Sequence, residues 1–181
     1  MHLPNASYAV FGGNTGVGPL GDNSYPGSTP QFDPTYKDYD GTRAIRIITS
    51  CEGDVTQAPC SWYDGANGLQ MVKHRWYPAA ESLANGTIVL IGGFTHGGYI
   101  NRQYPNVDPT YGNSGNGPVG AQSEPTYEFF PPTGQAPQIM QFMVKTSGLN
   151  SYALTYLMPS GKMFVQANFS TSYVNPAPAP D

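Results

Sequence analysis

Charge is scarce in this chain of 181 residues: Asp, Glu, Lys and Arg make up 11% of it, with 8 basic against 12 acidic residues and a net charge of −4. A basic surface able to hold phosphates is therefore excluded, and nucleic acid is not an expected partner. Long apolar runs are also missing. None approaches the roughly 18 residues that cross a bilayer as a helix, so no membrane partner is expected. Two cysteines and three histidines are too few and too scattered for a self-contained metal site, whose ligands recur at close spacing. Residues 1–5 lack the charged and apolar regions of a secretion signal.

Glycine, proline and aromatic residues are abundant instead: 22 Gly, 18 Pro and 13 Tyr, with aromatics at 13%. Such a mixture cannot sustain long helices, and it is too rich in aromatic and β-branched residues for a disordered chain. It fits an all-β fold of short strands joined by long loops, and residues 14–40 and 95–122 read as such loops. Three Asn-x-Ser/Thr sequons, at Asn5, Asn85 and Asn168, join the two cysteines and the few lysines in pointing to a secreted glycoprotein. Each sequon is short enough to arise by chance. A secreted type of body without a leader predicts a fragment that has lost its beginning.

One sentence is written three times. Residues 83–94 contain an Asn85-Gly86 step, predicted to form a type I′ hairpin turn, then the run Thr87, Ile88, Val89, Leu90, Ile91 and the pair Gly92-Gly93. The continuous apolar run suits a strand covered on both faces, and the paired glycines allow close backbone approach. Residues 3–14 repeat this 80 positions earlier (83 minus 3), and residues 158–169 repeat it 75 later (158 minus 83), with Ala167-Asn168 replacing Gly-Gly. A repeated hairpin ending in Gly-Gly is the pattern of a Kelch-type β-propeller blade, although the period exceeds the roughly 50 residues usual there. The expectation is a partial Kelch-type β-propeller of about two blades over residues 1–174, followed by a disordered tail, 175–181. Two blades cannot close a ring of typically 4–8, so the chain is a fragment or needs partners over its exposed edges.

Between the copies, residues 42–48 alternate as a half-exposed strand, and Trp62-Tyr63 resumes a short one. Cys51 and Cys60, with a turn between them, are placed to staple two adjacent strands by a disulfide worth about 2–3 kcal/mol. The competing reading is a free thiol or another crosslink. Residues 125–132 read as a strand ended by prolines, 138–144 as the next strand, and 151–158 as the lead into the third hairpin.

Arg75-Trp76-Tyr77-Pro78, followed by Asn85-Gly86 and Ile91-Gly92-Gly93, resembles the N-terminal domain of the glyoxal oxidases, copper radical oxidases related to galactose oxidase. Residues 3–14, the Asp40-Gly41, Ile45-Arg46, Cys51, Cys60 and Trp62 series, Gly97-Gly98-Tyr99-Ile100-Asn101, and residues 125–132 resemble that family in the same order. The resemblance implies a seven-bladed propeller holding one copper ion, and an oxidoreductase that oxidises small aldehydes or alcohols while reducing O2 to hydrogen peroxide. It assigns Tyr77 as the catalytic, metal-binding and cofactor residue, a phenol joined to a cysteine by a thioether and forming the radical half of a two-electron site. Copper cycling between two states carries one electron, whereas oxidising an aldehyde hydrate takes two. A second redox centre must therefore sit within bonding distance, and the protein orients and tunes it.

The match is incomplete. The family's crosslinking cysteine falls upstream of Leu3, in a Cys-x-Gly-Gly segment this chain lacks, and Cys51 and Cys60 match its paired cysteines instead. Its remaining copper ligands, a tyrosine beside a histidine and a further histidine, belong to its C-terminal half. None of His2, His74 or His96 stands in a matching motif. The isolated chain is therefore expected to hold copper weakly and not to turn over aldehyde. A second reading, from another class, is a non-catalytic propeller-derived module whose Tyr- and Asn-rich loops bind carbohydrate or cell wall. A galactose-oxidase-like alcohol substrate is a third, against which Trp76 leans.

Overall fold

The structure, a computed structural model, describes residues 1–13, 41–49, 60, 62–63, 69–95, 123–146, 152–167 and 169–176. The three copied hairpins turn in the same way. In the second, the Leu83 N–H donates to the Thr87 carbonyl (2.8 Å) and the Gly86 N–H to the Leu83 carbonyl (2.9 Å). The same two bonds join Leu3 with Ser7 (2.8 Å) and Ala6 with Leu3 (3.0 Å) in the first copy, and Met158 with Lys162 (2.8 Å) and Gly161 with Met158 (2.9 Å) in the third. A side-chain oxygen completes each turn by accepting an N–H two residues on: Asn5 from Ser7 at 3.1 Å, Asn85 from Thr87 at 3.0 Å, Ser160 from Lys162 at 3.4 Å.

This corrects the expected type I′ turn. Of the Asn85-Gly86 pair, Gly86 alone takes positive φ, at 83°, matched by Ala6 at 64° and Gly161 at 80°. The loop is thus a three-residue hairpin, a tight turn followed by one left-handed residue. Asn85 serves through its side chain, as a local acceptor that replaces a backbone partner.

The strands are short and antiparallel, and the fold is all-β. The first sheet holds β1 (Tyr8–Phe11), β2 (Ile45–Ile48) and β3 (Trp62–Tyr63) in that order. The middle sheet runs β4 (Ala79–Ser82), β5 (Ile88–Ile91), β6 (Thr126–Phe130) and β7 (Gln138–Ile139). The third runs β8 (Leu154–Leu157), β9 (Met163–Ala167) and β10 (Ser170–Val174), with β9 between the other two. The repeat fixes their register as well. Ser82 pairs with Ile88 in the middle sheet, Leu157 pairs with Met163 in the third, and His2 bridges Tyr8 in the first.

Because side chains alternate along a strand, β5 feeds two cores. Ile88 and Leu90 pack with Ile45 and Met71 on the side of the first sheet. Val89 and Ile91 pack with Met163, Val165 and Ala167 of the third. All four residues of β5 are buried, which explains why the run is continuously apolar rather than alternating.

One expected strand is shorter than its sequence suggested. Only Gln138–Ile139 pairs with β6, and the chain then enters a helix, α1 (Gln141–Lys145). Met140 and Met143, three apart, are both fully buried in the core shared with the third sheet. A spacing of three serves one face of a helix and opposite faces of a strand.

Two predictions follow from these elements. Ala6 holds a left-handed φ that its glycine counterparts adopt without a Cβ penalty, so Ala6→Gly should stabilise the chain by about 0.5–1 kcal/mol in urea unfolding; a loss would contradict the strain. Glu81 of β4 accepts a hydrogen bond from Thr155 of β8 at 3.3 Å, and burial raises its carboxyl above the ordinary 4.5, the bond from Thr155 and one from the Ser82 backbone opposing. The folded state then binds the proton more tightly, so this group's contribution is complete below the unfolded value and is lost as pH rises through the folded one. Glu81→Gln should remove that loss from a plot of thermal midpoint against pH.

Candidate active site

Residues 69–78 carry the chain from the first sheet to the middle one. Met71 and Arg75 donate their backbone N–H groups to the carbonyls of Arg43 (2.9 Å) and Thr42 (2.8 Å), and the Arg43 Nε donates to the Met71 carbonyl (2.7 Å). Trp76 then pairs with Phe94, exchanging bonds of 2.7 and 2.8 Å. The segment is thus bound to the first sheet on one side and prolongs the β4–β5 ladder on the other.

Arg75 is fully buried at this crossing. Its Nε donates to Glu128 Oε1 (2.9 Å), one terminal nitrogen to the carbonyls of Gly92 (2.8 Å) and Thr126 (2.9 Å), and the other to Thr126 Oγ1 (2.9 Å). Thr126 Oγ1 in turn donates to Glu124 Oε1 (2.7 Å), while Glu128 also accepts the backbone N–H groups of Val72 (2.6 Å) and Lys73 (3.2 Å). A guanidinium can enter an interior only with its donors engaged and its charge matched, and both conditions are met here.

Tyr77 follows at a φ of 59°. It stands in the irregular stretch between two ladder pairs, Trp76 with Phe94 and Ala79 with Ile91, opposite Gly92 (φ 64°) and Gly93 (φ 87°). A Cβ on Gly93 would come within 2.8 Å of the Trp76 carbonyl, so glycine is required at that position by the path of the chain through Trp76 and Pro78. Tyr77 is 39% exposed. It stacks on Trp76 with centroids 3.9 Å apart and on Tyr152 at 4.5 Å, and its carbonyl accepts the Tyr152 N–H at 3.0 Å. Tyr152 itself has a φ of 49°. Its phenol is held above its ordinary value by burial first and then by the neighbouring Tyr77 phenol.

Tyr152 lies 75 residues after Tyr77 (152 minus 77), which is the offset of the repeat. The left-handed backbone therefore belongs to this position in successive sheets, while Trp76 and Arg75 are particular to Tyr77. That offset is the signal that would have found Tyr152. Arg75 stood in the quoted motif without a role, and nothing in the spacing of Glu124, Thr126 and Glu128 marks them beyond their alternation.

The other sequence-derived positions are dispersed. Cys60 is disulfide-bonded; Cys51 lies outside the described residues. Asn5 and Asn85 are exposed at their turns, and Asn168 and His96 lie outside the described residues. The His74 ring shares a 2.6 Å bond with Thr42, and His2 packs edge-on against Tyr8 at 5.4 Å. At the far end of the β4–β5 hairpin from Tyr77, the turns of the second and third copies border a cleft of about 360 Å³, lined among others by Asn85, Phe129, Gln135, Leu157 and Asn175. No family model matches the chain, and no curated protein matches it.

Replacing Arg75 by methionine strands the Glu128 carboxylate in the interior. Arg75→Met should cost about 3–5 kcal/mol in urea unfolding. A loss below 1 kcal/mol would mean that the ion pair is dispensable.

Proposed function

We propose that this chain supplies the radical-forming tyrosine of a secreted copper radical oxidase of the glyoxal oxidase type, its three sheets being part of a Kelch-type propeller. The observation that carries the reading is Tyr77: a partly exposed side chain clasped between two aromatic rings, on a left-handed backbone, two residues beyond a fully buried arginine. Strained backbone persists where its surroundings over-determine it, and such places concentrate at functional sites.

The described residues supply the phenol of such a site and not the rest of it. Among them, no three His, Cys, Asp or Glu side chains stand together as a metal group. The reading therefore draws copper's other donors from outside the described residues, and the thioether cysteine from outside this chain. When bound, copper supplies the second one-electron carrier. What this chain does is hold the phenol. Flat contact with Trp76 and Tyr152 shields both faces of the ring. The substrates are small aldehydes and O2.

A second reading, carbohydrate binding without catalysis, draws on the cleft between the second and third turns, whose lining carries apolar and amide side chains and no charge. That chemistry suits a neutral saccharide. The loops first suggested for this role, 14–40 and 95–122, fall almost wholly outside the described residues.

One-electron oxidation of the isolated chain by hexachloroiridate tests the first reading. Among 13 tyrosines, Tyr77 should carry the larger part of the tyrosyl signal in electron paramagnetic resonance, so Tyr77→Phe should abolish most of it. An unchanged signal would overturn the assignment. With Cu(II) and methylglyoxal, the isolated chain should release no peroxide beyond that of Tyr77→Phe.

A further inference from the structure

The repeat makes the packing of the sheets directional. Val89 and Ile91 of the middle sheet face the third sheet, whose Met163, Val165 and Ala167 meet them. Ile88 and Leu90, on the reverse face, meet Phe11, Ile45 and Ile47 of the first sheet. Counted by offset, Met163 and Val165 are the counterparts of Ile88 and Leu90 (163 minus 88), and Phe11 is the counterpart of Ile91 (91 minus 11). Both seams therefore use one rule: the face bearing the Val89 and Ile91 positions of one sheet receives the face bearing the Ile88 and Leu90 positions of the next, always in that order.

Among the described residues, that rule leaves two faces without a sheet against them. On the third sheet they are the Val89 and Ile91 positions, occupied by Phe164 and Gln166. Phe164 is flanked across the strands by Tyr156 and Tyr173, with ring centroids 6.4 and 5.8 Å away. Tyr156 is 59% and Tyr173 63% exposed. On the first sheet they are the Ile88 and Leu90 positions, occupied by Tyr8 and Val10; Tyr8 lies in a row with Ile48 and Trp62, and Trp62 is 49% exposed. Each free face is an apolar row three strands wide, and the two are opposite members of the seam already made twice within the chain.

We propose that a second copy of this chain docks head to tail, its first sheet covering the Tyr156, Phe164 and Tyr173 row of the third sheet. The occupant is specified by continuity: a face of the Tyr8 and Val10 kind is what that position receives at both internal seams. Such contacts are heterologous and extend, or close if the rotation permits. Two copies would bring twice the three sheets of the chain, inside the roughly four to eight that closed rings of sheets use. No new chemistry is needed, since burying exposed aromatic rows is the favourable term in most protein association.

Light scattering coupled to size exclusion, on the full chain across a concentration series, reads the outcome. The mass should climb from 19.4 kDa toward twice that value. Tyr8→Glu and Tyr156→Glu alter exposed side chains on opposite faces, so each should keep the wild-type circular dichroism and remain monomeric alone. Mixed in equal amounts, they should associate again, because each retains the face the other has lost. A wild-type chain that stays monomeric at high concentration overturns the proposal. So does an oligomer that persists in either variant, persistence in one alone indicating a contact between like faces, or a mixture that remains monomeric.

Discussion

The buried ion pair of Arg75 and Glu128 is the contact on which the arrangement of the sheets depends. Arg75 is gripped at both ends. Its backbone carbonyl accepts the Gly13 N–H, at 3.4 Å, from the end of the first copy, while its guanidinium donates to the Gly92 carbonyl at the end of the second. The two Gly-Gly pairs thus hold opposite ends of one residue. A Cβ on Gly12 would lie 2.1 Å from the Arg75 carbonyl, so the first pair is glycine because a main chain passes against it. Glu128 sits on β6 opposite Leu90, on the face turned to the first sheet. It binds the crossing segment through Val72, Lys73 and Arg75 together.

The same crossing creates the site. Once Arg75 is anchored and Trp76 paired with Phe94, two residues remain before β4 begins, and they must span the gap opposite Gly92 and Gly93. Tyr77 is turned into the left-handed region there and its ring emerges between neighbours. The proposed role of Tyr77 requires a phenol fixed in orientation with an edge accessible. The fold fixes that orientation through backbone constraints, which is the more rigid of the available means.

Much of the frame was legible in the sequence because it rests on local rules. The apolar run from Ile88 to Ile91 announced a doubly covered strand, and a doubly covered strand it is. The three copies were visible by alignment alone, and their turns share three hydrogen bonds apiece. The conformation of those turns was misjudged because Asn85 has two uses at such a position, left-handed backbone or side-chain acceptor, and residue type does not choose between them. Helix α1 was missed because Met140 and Met143 are separated from β7 by no breaker, and a five-residue helix is dictated by the core it fills rather than by its own propensity. Glu128 could not be recognised because its meaning depends on Arg75, 53 residues away.

The two sides of the middle sheet are fastened by different forces. Toward the first sheet, the apolar cluster is reinforced by the guanidinium, its carboxylate and the backbone bonds of the crossing. Toward the third, the described contacts are dominated by methionine, valine and aromatic packing, with the Glu81 and Tyr77 bonds at its margins. Apolar burial loses strength as temperature falls, whereas charge-assisted bonds do not share that dependence. Chilling should therefore slacken the third sheet while the first stays clamped, giving the molecule a cold-sensitive side and a cold-tolerant one.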